Sequence, residues 1–197
     1  MLLVDSGGAN IGSMLYALER LGARARLSAD PAEIAAAERL ILPGVGAARP
    51  AMALLRERGL VEVIRRLTQP LLGICLGMQL LFDSSEEGDV ECLGLIPGRV
   101  RALRPSPGIR VPHMGWNGLE KSGDDALLAG IADGARAYFV HGYAVPANDF
   151  TLATSTHGDA FAAVVRRGNF HGAQFHPERS SDVGARLLSN FLGLPRG

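Results

Sequence analysis

Along the first half of the chain, short apolar runs alternate with stretches whose apolar residues recur every three or four positions. The run MLLVD at the start reads as a buried strand. Ile11, Met14, Leu15, Leu18 and Leu21 follow at helical spacing, with Asn10 as the N-cap and Gly22 closing the helix. ARARLS, ending at Ser28, and ERLILPG, ending at Gly44, predict a second and a third strand. Pro50 to Leu67 predicts a helical region broken near Gly59, with Leu60, Val63, Ile64 and Leu67 on one stripe. PLLGIC, ending at Cys75, predicts a fourth strand, and a helix from Leu76 to Phe82 starts at once.

The second half has a different rhythm. GRVRAL, WNGLE, ARAYFVHGY, FTLATST, FAAVVRRG and FHGAQFH are short strand-like runs punctuated by Gly, Pro, Asn and Asp. A last helix, Asp182 to Leu192, carries Val183, Leu187, Leu188 and Phe191 on one face. Strands that are apolar throughout are buried on both faces. The expected fold is therefore α/β: an open, mostly parallel central sheet with helices on both faces, plus antiparallel strands in the second half. No linker or repeat divides the chain, so residues 1–197 are expected to form a single domain.

Composition narrows the function. Twenty basic and twenty acidic side chains give a net charge of 0, and no basic block stands out, so nucleic acid is not an expected partner. The most apolar stretch, Pro70 to Phe82, is too short to span a bilayer and carries Gln79, so no membrane association is expected. The N-terminus lacks a basic leader and a signal-length apolar run. Cys75 and Cys92 are too few for a disulfide framework, which points to a reducing, cytoplasmic setting. There is no HExxH or CxxC pattern, no phosphate-binding GxxxxGK[ST] loop and no GxGxxG, so neither a metal nor a cofactor is expected.

The candidate chemistry centres on LGICLGMQLL, Leu72 to Leu81. GxCxG at a strand-to-helix junction has the pattern of a nucleophile elbow, with sulfur as the nucleophile. Glycines at Gly73 and Gly77 would let neighbouring strands approach the sharp turn. The helix start supplies N–H groups, with that of Leu76 placed to donate to an oxyanion. A small core cysteine beside a tight turn would leave the same pattern. A nucleophilic thiol needs a base. In GAQFHPERS, Pro177 biases His176 towards an extended conformation, so His176 and Glu178 would project together and Glu178 could orient the imidazole. His141, ending the run YFVH, is a rival base; His113 and His157 look like loop residues, and His171 alternates with Phe170.

Taken together, LPGVG (Leu42 to Gly46), LGICLGMQLLF, VPHMGWN (Val111 to Asn117), YFVHGY (Tyr138 to Tyr143) and QFHPERS resemble the class I, triad-type glutamine amidotransferases. They are more closely similar to the glutaminase subunits of imidazole glycerol phosphate synthase, over nearly the whole chain. The resemblance implies that Cys75 attacks the carboxamide of glutamine, that His176 is general base and acid, and that Glu178 holds it. It implies an oxyanion hole from Leu76 and the Val45–Gly46 turn, completed by a peptide flip. It places Gly44, Gln79, Glu87, Gly142 and Tyr143 against the substrate glutamine. It further implies a separate (β/α)8-barrel cyclase as partner, receiving ammonia through a channel, with Asn10, Met114, Trp116, Asn117, Tyr138 and Arg179 at the interface. The lone Trp and its neighbours are expected in a Pro/Gly-rich loop, where core packing is the other reading of Trp116.

Three stretches depart from the family's pattern. Its YGxGN stretch reads Ser6-Gly7-Gly8-Ala9-Asn10 here, HPEKS reads HPERS at Arg179, and the residue after His141 is Gly142 rather than one bearing a hydroxyl. The glutaminase subunit of pyridoxal phosphate synthase shares the triad but not PHMGWN. A non-catalytic relative of the fold predicts a broken triad, and a cysteine hydrolase of other amides is a further alternative.

Overall fold

In a computed structural model, residues 1–7 and 11–195 are described. The expected N-cap and interface position Asn10 lies outside them. The first half runs Leu2–Val4 (β1), Ile11–Arg20 (α1), Arg26–Ser28 (β2), Pro31–Ala36 (α2), Leu40–Leu42 (β3), Ala48–Glu57 (α3), Leu60–Arg65 (α4), Leu71–Ile74 (β4) and Leu76–Gln79 (α5). The second runs Phe82–Ser85 (β5), Val90–Glu91 (β6), Ile96–Ala102 (β7), His113–Gly118 (β8), Glu120–Lys121 (β9), Arg136–His141 (β10), Tyr143–Ala144 (β11), Thr151–His157 (β12), Asp159–Arg167 (β13), Phe170–Ala173 (β14) and Ser181–Gly193 (α6). Single 3₁₀ turns lie at Ala126–Leu128 and Pro177–Arg179.

Among the described residues the main sheet has eight strands in the order β2-β1-β3-β4-β14-β13-β12-β9. The pairings from β2 through β14 are parallel, and β13, β12 and β9 add antiparallel strands at one edge. This is the expected mixed architecture. Alternation along the central strands feeds two cores. Leu2, Leu40, Leu42 and Leu71 face one side with Ile34, Met52, Leu55 and Ile64 from α2, α3 and α4. Leu3, Ile41, Leu72 and Ile74 face the other with Leu18 of α1, Phe139 of β10 and Leu188 and Phe191 of α6. Burying each such side chain contributes about 1.5–3 kcal/mol. No helix among the described residues is long and apolar enough to cross a membrane.

The structure differs from the sequence reading at four places. Helix α2 has no counterpart in it, although Asp30 caps the helix by accepting from the Ala32 and Glu33 N–H groups and Pro31 opens it. The helix after Cys75 is a single turn: its segment continues through Leu80 and Leu81 into β5, which begins at Phe82. The VPHMGWN segment is not a loop, because residues from His113 onward form β8, antiparallel to β10. His157 is likewise the last residue of strand β12.

Candidate active site

Cys75 sits between β4 and α5 with φ 53°, a left-handed conformation that a side chain bearing a Cβ adopts only when its surroundings impose it. The surroundings are three glycines. A Cβ on Gly73 would lie 2.6 Å from the Gly77 carbonyl oxygen, one on Gly77 would lie 1.8 Å from the Leu42 carbonyl oxygen, and one on Gly44 would lie 2.6 Å from the Gly77 nitrogen. The ends of β3 and β4 thus press directly against α5. The Cys75 N–H donates to the Ala173 carbonyl at 2.8 Å, tying the elbow to β14. With only one helical turn behind it, little macrodipole accumulates, so any stabilisation of negative charge here is local.

His176 is held in an extended conformation just beyond β14, and its N–H donates to the Tyr138 carbonyl of β10 at 3.0 Å. The Ser180 hydroxyl donates to the His176 carbonyl at 2.7 Å and accepts from the Tyr138 N–H at 2.9 Å. Glu178 lies in the 3₁₀ turn rather than along a strand, and the tight turn brings its Oε1 to 2.9 Å from His176 Nδ1. The outcome resembles the expected pair, but the turn, not strand alternation, produces it. Burial pulls the imidazole towards neutrality, yet its hydrogen bonds to the Cys75 thiol and the Glu178 carboxylate prevail and hold it up to about 10. That raised proton affinity suits His176 to accept a proton from a nucleophile and later to deliver it to a leaving group.

A cavity of about 200 Å³ opens onto the sulfur, lined by Val45, Gly46, Leu76, Gln79, Glu87, Val140, His141, Gly142, Tyr143 and His176 beside Cys75. A larger hollow of about 520 Å³, bordered by Arg99, Arg101 and Arg104, holds no nucleophile. Of the expected substrate residues, Gln79, Glu87, Gly142 and Tyr143 meet at this cavity. Gly44 does not line it; it is buried against α5. Gln79 Nε2 donates to the Tyr143 carbonyl at 2.9 Å and to Gln174 Oε1 at 3.0 Å. Glu87 accepts from the Ala48 N–H at 2.9 Å, capping α3, and burial pushes its carboxyl up despite that bond. The Val45–Gly46 turn flanks the sulfur, with Gly46 at φ 100°.

His141, the rival base, is turned elsewhere: its Nδ1 donates to the Tyr143 carbonyl at 2.8 Å and its Nε2 faces His113 Nδ1 at 3.2 Å. Gln174 was missing from the sequence reading. It is fully buried, and its Nε2 lies 3.7 Å from Cys75 Sγ. Its signal was an amide at an apolar strand end, legible only once the facing Gln79 is known.

Met114 and Trp116, 65% and 44% exposed, project from the outer face of β8. Trp116 lies edge-on to Tyr138 at 5.9 Å, and the Arg179 guanidinium stacks over Tyr138 at 4.7 Å, so these four share one surface. Asn117 does not join them. Strand alternation turns it inward, where its Nδ2 donates to the Thr156 carbonyl at 2.7 Å.

His113, His141 and His171 are all pushed down by burial, His113 to about 4 and His141 to about 3. In the unfolded chain they titrate near 6.5. Below that pH the unfolded state binds protons the folded state refuses. The stability they leave intact above 6.5 is therefore lost as pH falls, and for His113 and His141 the loss runs on towards 4 at up to about 1.4 kcal/mol per pH unit each. Denaturant midpoints should fall as pH drops from about 6 to about 5, below the range in which the raised His176 contributes the opposite slope; a flat midpoint there would contradict this burial.

An elbow cysteine and a histidine hydrogen-bonded to a glutamate thus meet at a cavity of amino-acid scale. The chain belongs to the class-I glutamine amidotransferases: the family profile described as Glutamine amidotransferase class-I matches residues 2–193. It is 63% identical over 190 residues to the imidazole glycerol phosphate synthase subunit HisH of Xanthomonas axonopodis pv. citri (strain 306), covering 96% of this chain and 95% of that one. It is 59% identical over 190 residues to the subunit HisH of Xylella fastidiosa (strain Temecula1 / ATCC 700964), with the same coverage. In fold it is similar to a crystal structure of a glutamine amidotransferase (TM-score 0.75, 22% identity, 98% of this chain and 97% of that one). It is also similar to the glutaminase domain of Trypanosoma brucei CTPS with bound acivicin (TM-score 0.67, 18% identity, 98% and 94%).

Proposed function

We propose that residues 1–197 act as one glutamine amidotransferase domain that hydrolyses glutamine to glutamate and ammonia for imidazole glycerol phosphate synthase in histidine biosynthesis. The carrying observation is the meeting of Cys75 and His176 at one small cavity, with Glu178 bonded to His176 from behind, in a chain 63% identical to a HisH subunit. The thiol proton passes to His176 as sulfur attacks the carboxamide carbon. The Leu76 N–H, with the Val45–Gly46 turn, stabilises the oxyanion. His176 then protonates the departing nitrogen, ammonia leaves, and a γ-glutamyl thioester remains on Cys75. Water gives a proton to His176, attacks the thioester and releases glutamate, and the proton returns to sulfur. Glu87 receives the substrate ammonium, and the Gly142–Tyr143 backbone receives its carboxylate. Gly44 serves the elbow by close packing.

Replacing Glu178 by glutamine keeps the shape but removes the charge that supports the imidazolium. We expect kcat to fall about 10²–10⁴-fold with little change in KM for glutamine, measured by glutamate release. An unchanged kcat would remove Glu178 from the mechanism.

The ammonia goes to a separate cyclase subunit with a (β/α)8 barrel, which makes imidazole glycerol phosphate and aminoimidazole carboxamide ribotide. Met114, Trp116, Tyr138 and Arg179 form the docking surface; exposed Met, Trp, Tyr and Arg are the side chains enriched at such contacts. The reading places the protein in the cytoplasm, where a free thiol stays reduced. Glutaminase activity should be low for the isolated chain and rise when the cyclase and its ligand are added. Equal rates with and without them would remove the coupling.

A further inference from the structure

Strand β8 has an unusual polarity. Its apolar side chains, Met114 and Trp116, face out, while His113 and Asn117 face in. His113 and His141 are 4% and 6% exposed and pack against Phe139 and Phe161, with His157 stacked on His113 at 4.1 Å. Burying two imidazoles among aromatic rings is unfavourable unless their nitrogens are bonded.

The bonds fix where each proton sits. The Tyr143 carbonyl can only accept, so His141 Nδ1, 2.8 Å away, carries a proton. Neutral His141 then offers a lone pair at Nε2, and His113 Nδ1, 3.2 Å away, must supply the proton between the rings. That leaves a lone pair on His113 Nε2, 3.4 Å from Asn117 Nδ2. The far end gives the same order independently. The Gly118 N–H donates to Asn117 Oδ1 at 2.9 Å, so the amide nitrogen is the atom turned to His113 and to the Thr156 carbonyl. A second proton on either ring would set two N–H groups face to face, and burial disfavours it.

We propose that Asn117, His113 and His141 form a proton-ordered strut that positions the Gly142–Tyr143 wall of the glutamine cavity and ties it to the outer strand β8. The kinetic consequence rests on the glutaminase reading; the proton order does not. The Tyr143 carbonyl at the inner end also accepts from Gln79, whose amide meets Gln174, which in turn reaches Cys75. The outer end adjoins Trp116 and the proposed docking face. A displacement of β8 is thereby transmitted to the atoms that would hold the substrate carboxylate. His113, His141 and Asn117 are positioning residues, since none of them touches the sulfur.

Two experiments test this. Long-range ¹H–¹⁵N spectra of the isolated, histidine-labelled chain near neutral pH should show His113 and His141 both neutral and both protonated at Nδ1, the rarer tautomer of free imidazole. An Nε2–H form at either ring, or averaging between tautomers, overturns the strut. In the complex with the cyclase, His113→Phe keeps the ring stacked on Phe139 but removes both bonds. It should raise KM for glutamine about tenfold while kcat stays within about threefold and iodoacetamide still alkylates Cys75 at the wild-type rate. His113→Asn, which restores a donor at the δ position, should recover most of that loss. An unchanged KM in His113→Phe, or equal loss in both variants, also overturns it. If the wild-type chain does not hydrolyse glutamine at all, the proposed function falls, and the spectra still decide the strut.

Discussion

Cys75→Ala is expected to abolish glutamine hydrolysis while leaving the partner's own chemistry intact. Removing a nucleophile that acts as a unit with its base lowers kcat by roughly five to six orders of magnitude. The elbow geometry makes the variant a clean probe. Cys75 is the strained residue at φ 53°, and alanine has the same Cβ, so the packing of Gly73 and Gly77 is untouched. The complex of the variant with the cyclase should therefore lose glutamine-dependent synthesis and keep synthesis from added ammonia. Loss of both activities would mean that Cys75 supports assembly. Retention of glutamine-dependent synthesis would mean that another group attacks.

Gly77→Ala should be among the most destabilising conservative changes available to this chain. The added Cβ would sit 1.8 Å from the Leu42 carbonyl oxygen, and both partners are backbone at the junction of β3 and α5. Neither can rotate away, so relief requires separating the sheet from the elbow. Overpacking of this kind costs about 3 kcal/mol or more, which for a chain of this size lowers Tm by roughly 6–12 °C. Gly142→Ala is the control. Its Cβ finds nothing closer than Val111 Cγ1 at 3.9 Å and should leave Tm nearly unchanged. Thermal unfolding of the two variants side by side checks the contrast; equal midpoints would show that the elbow is looser than its packing implies.

Strands β1, β3 and β4 were legible because they are short, apolar and buried throughout. Segments that depart from such rules were not. Leu76 to Phe82 is apolar but for Gln79 and buried throughout, and periodicity cannot separate a buried helix from a buried strand there. The chain in fact makes one helical turn and then a strand. Helix α2 presents only Ile34 to the core and so shows no stripe, and its capping residues were the sole signal. Strand β8 inverts the usual alternation, with polar residues inside and Met114 and Trp116 outside, so its first half reads as a loop and only its end, in WNGLE, as a strand.

The site was legible to the extent that local geometry carries it. The elbow and the HPE stretch each name their own residues. What brings His176 to Cys75 is remote: the Tyr138 carbonyl of β10 and the Ser180 hydroxyl at the start of α6. Asn117 shows the limit of motif reasoning. It shares a motif with Trp116 but lies on the opposite face of one strand, and its contacts are internal.

Covalent attack by Cys75 is the central step of the proposed reaction. The most direct measurement is mass spectrometry of the cyclase-bound chain, acid-quenched during turnover of glutamine. A single glutamyl group should appear on the peptide that contains Cys75 and be absent from the Cys75→Ala variant. Steady turnover with no adduct on that peptide, or with an adduct on another residue, would contradict it.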